Sequence, residues 1–368
     1  MLLDHDLRAL DGYPMRADVK VLPYEPVNLW HHLSSDRCHV LDRTAAPGLY
    51  RRLLARRLPA LRDLPGLLVN AEPGTRAQWH ALFGEALVQR LCAAEILRPE
   101  GDGLLRSRLR FIPCLGRLFL VDVVTGDSSG EVWLGKDSLI LVNALRARMG
   151  ERRFGRGLEI GCGSGIATIH LADLCDQTIG IDINPRALSC ATTNAAVNRV
   201  PGLEFRKSNL FAQVPETFDV IISNPPHVFI PDENRDVRVY AAGGSDYGTD
   251  FEFDIIAGLA ERLNPDGVAL LLCVSPVAHG VDILPTRVRE RLGDSGLAVT
   301  FEPLFNNVHP ELYRFHRQHG VAYNWSYLVT VRKTGQASVE VRPPSLWIRT
   351  TSWAYRNLVK STYQLRRS

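Results

Sequence analysis

The segment 157–165, Gly-Leu-Glu-Ile-Gly-Cys-Gly-Ser-Gly, constrains this chain more than any other. Its apolar positions Leu158 and Ile160 read as a buried strand, and the helical pattern IATIHLADLC begins directly after Gly165. Glycines at 161, 163 and 165 allow the sharp turn between the two, and they let a ligand approach the strand end without meeting a side chain. Amides exposed where the helix opens can hold a polar or anionic group. A plain tight turn would use glycines too, so further residues must give the loop a function.

From residue 130 onward, strands alternate with helices, which predicts a parallel sheet covered on both faces. Strands are expected at 157–161, 177–182, 203–208, 219–224, 267–275, 297–302 and 326–332. Helices are expected at IATIHLADLC, from Pro185 (a residue favoured in a first helical turn), at FEFDIIAGLAERL and at VDILPTRVRERL. The fold class is therefore α/β, a Rossmann-like seven-stranded sheet whose last two strands face each other across a loop-rich insertion. Residues 1–125 read as a mostly helical N-terminal domain, with helical spacing in Leu49-Tyr50-Leu53-Leu54-Leu58 and in Trp79-Leu82-Phe83-Leu87-Leu91. Within it GEALVQRLCAAEIL, a polar PEGDG turn and the strands LLRSRLRFI and GRLFLVD resemble a small winged unit. Residues 126–335 form the sheet domain, and 336–368 a basic, aromatic C-terminal extension.

Charge and cysteine usage narrow the class. Residues 342–368 hold six basic residues and no acidic one, whereas the other 341 residues carry 37 basic against 40 acidic. A nucleic-acid-binding body is usually more strongly basic, so nucleic acid is disfavoured as a partner. The seven cysteines are scattered, with no C-x-x-C pair, which argues against a disulfide framework or a zinc site and for a cytoplasmic protein. No apolar run reaches the ~18 residues of a transmembrane segment, and the first residues lack a signal core.

Two further features give the glycine loop a ligand. Asp182 ends the second strand, 21 residues after Gly161, where a carboxylate can accept both hydroxyl hydrogens of a ribose. A turn acid or helix cap is the alternative, given the neighbouring Asn184-Pro185. The spacing G-x-G-x-G differs from the G-x-G-x-x-G of dinucleotide sites. At the end of the fourth strand stands Ser223-Asn224-Pro225-Pro226-His227. Two prolines cannot continue a ladder, so the chain turns there and presents the Asn224 side chain and the Pro225 carbonyl to the crevice. Both are acceptors suited to an N–H donor, and a nitrogen so held can be aimed at an electrophile.

Residues 158–275 resemble the small-domain, class I methyltransferases that include the release-factor glutamine N5-methyltransferases. The fingerprint is the glycine loop, the acid after strand two, a polar residue after strand three and N-P-P-Y. The resemblance implies S-adenosyl-L-methionine as cofactor. Glu159 and Gly161, with Gly163 and Gly165 in the same loop, would face its methionine part, Asp182 the ribose and Asn209 the adenine. Asn224 and Pro225 would hold the acceptor nitrogen. Gly243-Gly244-Ser245-Asp246-Tyr247-Gly248 is close to the G-G-x-D-G that follows in that family. One position departs: His227 replaces the aromatic residue, and it could stack, take a proton, or only cap the turn.

The acceptor taken from these features is a small molecule, such as a specialised metabolite or amino-acid derivative, because of His227, the unremarkable charge and the lid-like insertion. A protein glutamine acceptor is the alternative. Two others are cyclisation of the cofactor with release of methylthioadenosine, and a non-catalytic nucleic-acid-binding module. His309, His316 and His319 in the insertion lack an acid or cysteine to complete a metal set, so no metal is assigned. Cys162 reads as a packing residue, the arginines of RRLLARRLPALR as a solvated helix face, and the tail around Trp347, Trp353, Tyr355 and Tyr363 as docked on the body.

Overall fold

The computed structural model describes residues 65–123, 130–231, 242–245, 247–307, 312–350 and 352–353. Cys38, the expected helix at Leu49–Leu58, the arginines at 51, 52, 56, 57 and 62, and Asp246, His309, Tyr355 and Tyr363 lie outside them.

After a single helical turn at Pro65–Val69 come β1 (Gly74–Thr75), α1 (Arg76–Phe83), α2 (Glu85–Ala93), β2 (Leu97–Pro99) and β3 (Leu104–Ser107). The strands pair in the order β1-β3-β2, with β2 and β3 forming an antiparallel hairpin. Thr75 and Gln78 form a capping box that starts α1, and buried Trp79 donates its indole N–H to the Leu105 carbonyl at 3.0 Å. The expected single strand 104–112 is broken at Arg108. There the Ser107 hydroxyl bonds the carbonyl and amide of Leu109, and a separate hairpin begins, β4 (Leu109–Cys114) with β5 (Arg117–Asp122). Residues 65–122 therefore hold as much strand as helix. The hairpin is fixed to the main domain by two side chains that imitate a strand. Asn194 and Asn198 each give and take a hydrogen bond with the backbone of Leu120 and Leu118.

The main domain runs α3 (Lys136–Met149), β6 (Phe154–Ile160), α4 (Ile166–Leu171), β7 (Cys175–Asp182), α5 (Pro185–Val197), β8 (Leu203–Lys207), β9 (Phe218–Ser223), α6 (Asp250–Arg262), β10 (Leu263–Ala278), β11 (Val281–Asp282), α7 (Ile283–Arg291), β12 (Leu297–Asn307), α8 (Tyr313–Gln318), β13 (Val321–Lys333) and β14 (Ser338–Val341). The sheet order is β14-β12-β13-β10-β9-β6-β7-β8. Strands β8, β7, β6, β9 and β10 are parallel, while β13 lies antiparallel between β10 and β12. All seven expected strands are present, so the Rossmann-like reading holds. One apolar layer packs β10, β12 and β13 on α6 and α7, and the other packs β9 and β10 on α3 and α4.

Three differences from the sequence expectation matter for the site. Strands β10, β12 and β13 are longer than expected, because they continue as an antiparallel arm beyond the last β9–β10 pair, Ser223 with Leu271. Most of the expected insertion is this arm and α8. Residues 338–341, expected within the tail, add a parallel edge strand to β12. The helix that begins at 346 docks through Ser352, whose buried hydroxyl accepts from the Asn306 amide at 3.2 Å, whereas Trp347 and Trp353 are exposed.

Candidate active site

Adjacent strands at the C-terminal edge of the parallel sheet bring the sequence-distant motifs together. Ile160 of β6 pairs with Ser223 of β9 on one side and with Ile181 of β7 on the other. The Ser223 hydroxyl donates to the Ile160 carbonyl at 2.8 Å, so the glycine loop and Asn224 leave the sheet side by side. Between β6 and β9 the strand order reverses, which is where ligands bind in open α/β sheets. Asp182 pairs with Lys207 at the end of β8, and the Ser208 amide donates to the Asp182 carbonyl at 3.1 Å. Asn209 follows and is exposed. The edge therefore reads Asn209, Asp182, the glycine loop and Asn224 in spatial order.

The three loop glycines all have positive φ: 72° at Gly161, 51° at Gly163 and 78° at Gly165. A Cβ added at Gly161 or Gly163 would meet no atom within 4 Å, so the absent side chains leave open space above the strand end. At Gly165 the same atom would lie 2.8 Å from the Ala191 side chain, so this glycine is required by close packing of α4 on α5. Cys162 is buried with its thiol pushed well up, first by burial and then by the Asp182 and Glu159 charges, as suits a packing residue.

Glu159 is wholly buried and accepts a hydrogen bond from the Thr168 hydroxyl. Burial raises its carboxyl to about 8. Asp182 accepts from the amides of Gly163 and Asn184, both at 2.9 Å, and burial raises it as well. Asn184 caps α5 through the Arg186 amide, so the acid and the cap are different residues. The half-exposed Ile183 stands between them, an apolar surface beside the acid that sequence reasoning passed over although its position directly after Asp182 was visible.

A second missed feature is the strap 130–135. Asn184 donates to the Gly130 carbonyl at 3.2 Å, and the Val132 amide donates to Asp122 at 2.8 Å. Asp122 is gripped by Arg186 through two bonds of 2.5 and 2.7 Å. The strap thus runs from the start of α5 to Gly135, which caps α3.

On the other side of the crevice, the Asn224 Oδ1 is buried and has no hydrogen-bond partner among the described residues. The Pro225 carbonyl accepts from His227 Nδ1 at 2.9 Å. The glycine stretch at 243–248 packs directly on this turn: a Cβ at Gly243 would stand 2.8 Å from the His227 Cα, and one at Gly248 2.9 Å from the Phe229 amide. His316 and His319 of the insertion pack there too. His316 bonds the Phe229 carbonyl at 2.8 Å, and His319 bonds its own helix at Phe315. Among the described residues no three His, Cys, Asp or Glu side chains gather as a metal centre, and no helix is long and apolar enough to cross a membrane.

A family model described as the methyltransferase small domain matches residues 131–251. A release factor glutamine methyltransferase of Xylella fastidiosa is 30% identical over 253 residues, 64% of this chain and 85% of that protein. One from Fusobacterium nucleatum is 36% identical over 105 residues, 27% of this chain and 30% of its own length. The chain spans 59%, 30% and 34% of the first three curated relatives it matches. Among solved structures, a ribosomal protein L11 methylase of Lactobacillus delbrueckii has a TM-score of 0.36 at 19% identity, covering 55% of this chain and 81% of that one.

Proposed function

Because the chain belongs to the class I S-adenosylmethionine-dependent methyltransferases of the small-domain, release-factor glutamine methyltransferase-like family, we propose that it methylates the side-chain nitrogen of a glutamine in a protein acceptor. The observation that carries this is the buried Asn224 Oδ1 left without a donor. An unmade hydrogen bond on a buried oxygen costs about 1–3 kcal/mol, a cost recovered when an acceptor N–H fills it. A primary amide supplies two such hydrogens, one for Asn224 and one for the second lone pair of the Pro225 carbonyl. The relative spanned for 85% of its length bears the name of a glutamine methyltransferase, which favours a protein acceptor over the small molecule expected from His227 and the insertion.

The residues present fit the cofactor. S-adenosylmethionine, when bound, supplies an electrophilic methyl group on a sulfonium. Gly161 and Gly163 leave open space above β6, where Glu159 would face its amino-acid end, Asp182 would take the ribose hydroxyls, and Ile183 with Asn209 would receive the base. Asn224 and Pro225 would take the two amide hydrogens and turn the nitrogen toward the methyl group the cofactor supplies, and the proton that nitrogen loses on methylation would leave to solvent. Positioning and exclusion of water supply most of the rate. His227 stands on the same turn, its Nδ1 bonded to the Pro225 carbonyl.

The test is incubation of the purified protein with methyl-labelled cofactor and a release factor from cells lacking their own glutamine methyltransferase. Label on one glutamine, with S-adenosylhomocysteine as the nucleoside product, is expected. Label on a small amide but not on protein would restore the metabolite reading, and methylthioadenosine as product would replace methyl transfer by cyclisation.

A further inference from the structure

We propose that the segment 341–353 is a docking surface for an anionic lipid bilayer, a function separate from methyl transfer and independent of the acceptor assigned above. Seven large apolar side chains stand exposed among the described residues, and four of them fall in these thirteen positions: Val341 (37% exposed), Leu346 (78%), Trp347 (63%) and Trp353 (63%). Large apolar side chains exposed this close together along the chain point to an interaction site. The helix at 346–350 and 352–353 has two distinct sides. Half-buried Ile348 and buried Ser352 turn toward the body, where Ser352 holds the Asn306 amide at the end of β12. At about 100° per residue, Leu346, Thr350 and Trp353 share an arc of about 60° on the opposite side, flanked by Trp347 and Arg349. The Thr350 hydroxyl bonds the Leu346 and Trp347 carbonyls of its own helix, which leaves its methyl group on that face.

Charge selects the occupant. No acidic residue follows Glu340, while Arg342, Arg349, Arg356, Lys360, Arg366 and Arg367 do. Arg342 is engaged with Glu302 at 3.2 Å, and Arg349 is exposed beside the apolar face. Tryptophan with aliphatic residues on one face and basic residues at its margin is the pattern of a helix lying in a headgroup layer, with anionic lipid adding attraction for each cation. The exposed Leu346 and Val341 point to hydrocarbon over stacked bases, which would use the rings alone.

The experiment is co-sedimentation of the full chain with vesicles of phosphatidylcholine alone or with about 30% phosphatidylserine. Partition at least about tenfold stronger onto the anionic vesicles is expected, with a blue shift of tryptophan emission and loss of binding at high salt. The double variant Trp347→Ala/Trp353→Ala, at exposed positions, should lose about tenfold in partition while its melting curve and S-adenosylhomocysteine affinity stay at wild type. Equal binding to both vesicles, wild-type partition by the double variant, or quenching of these tryptophans by single-stranded oligouridylate without any vesicle binding would each overturn the proposal.

Discussion

Replacing Glu159 by glutamine should separate the two energetic duties of this carboxyl. In the folded chain burial raises it from an ordinary 4.5 to about 8, with the Asp182 charge pushing the same way and the Thr168 hydroxyl opposing. At 1.36 kcal/mol per pH unit, the difference amounts to about 5 kcal/mol of preference for the neutral acid. Between about pH 4.5 and pH 8 the folded chain therefore holds more protons than the unfolded one, and stability falls as the pH rises through that window. Glu159→Gln keeps the shape and removes the titration, so its melting temperature should overtake that of wild type progressively, the gap reaching its maximum above pH 8. Binding should go the other way. A cationic amino group beside Glu159 favours the carboxylate, so the cofactor expels a proton and wild-type affinity rises by up to about tenfold per pH unit from pH 6 to 8. Calorimetric titration with S-adenosylhomocysteine in two buffers of different ionisation enthalpy counts that proton. The glutamine variant, which reports the ligand's own titration, should show a flatter profile and weaker binding at pH 8. Identical proton counts and parallel profiles in the two proteins would refute the placement of Glu159 at the cationic end.

Asn224→Ala should lower kcat about 10²–10³-fold while S-adenosylhomocysteine affinity is retained, as read by stopped assays and calorimetry. His227→Tyr removes the Nδ1–H bond to the Pro225 carbonyl and returns the aromatic ring, so KM for a glutamine acceptor should fall by about 3–10-fold. An unchanged KM would show that stacking is not what this position controls. Gly165→Ala, at φ 78° with Ala191 2.8 Å from the new atom, should cost about 2–4 kcal/mol in denaturant titration. Gly161→Ala meets no atom, so it should cost only the backbone penalty of about 1–2 kcal/mol and still weaken cofactor binding.

The parallel half of the sheet was legible because its strands are short apolar runs closed by glycine, Asp182 or proline. The antiparallel half was legible only in part. Beyond Ser275 and Glu302 the chain carries Pro276, Pro303, Asn306, Asn307 and Asn324, which read as loop, yet each lies in a strand whose neighbours satisfy its backbone. Helix α3 went unrecognised since Leu139-Ile140-Leu141-Val142 serves a buried strand as well as a helix. Burial of the tail aromatics was inferred from their size, but a serine does the docking and two of the tryptophans face out. At the site, the residues that end strands could be found one by one from the sequence. The strap from Gly130, held through Asn184, Asp122 and Arg186, could not, because the Asn184–Gly130 and Arg186–Asp122 contacts join positions 54 and 64 residues apart with no local signature.

The two prolines after Asn224 do more than aim an amide. By ending β9 at Ser223 they leave the β10 edge without its β9 partner from residue 272 upward, and amides on that edge still need acceptors. Glu252, fully buried in the first turn of α6, supplies one: its Oε1 accepts from the Val274 amide at 2.6 Å, and burial holds its carboxyl well above the usual range. Strand β11 pairs with Val277 and Ala278 farther along the same strand. Around the proline turn that follows Asn224, Gly243 and Gly248 admit no side chain against His227 and Phe229. Walls packed this closely cannot adapt to different acceptors by shifting. The His227 atom nearest a Cβ at Gly243 is the main-chain Cα, so the side chain at 227 is the part of this turn free to vary. Selectivity for the group that enters should therefore reside at His227, the one position where this turn departs from N-P-P-Y.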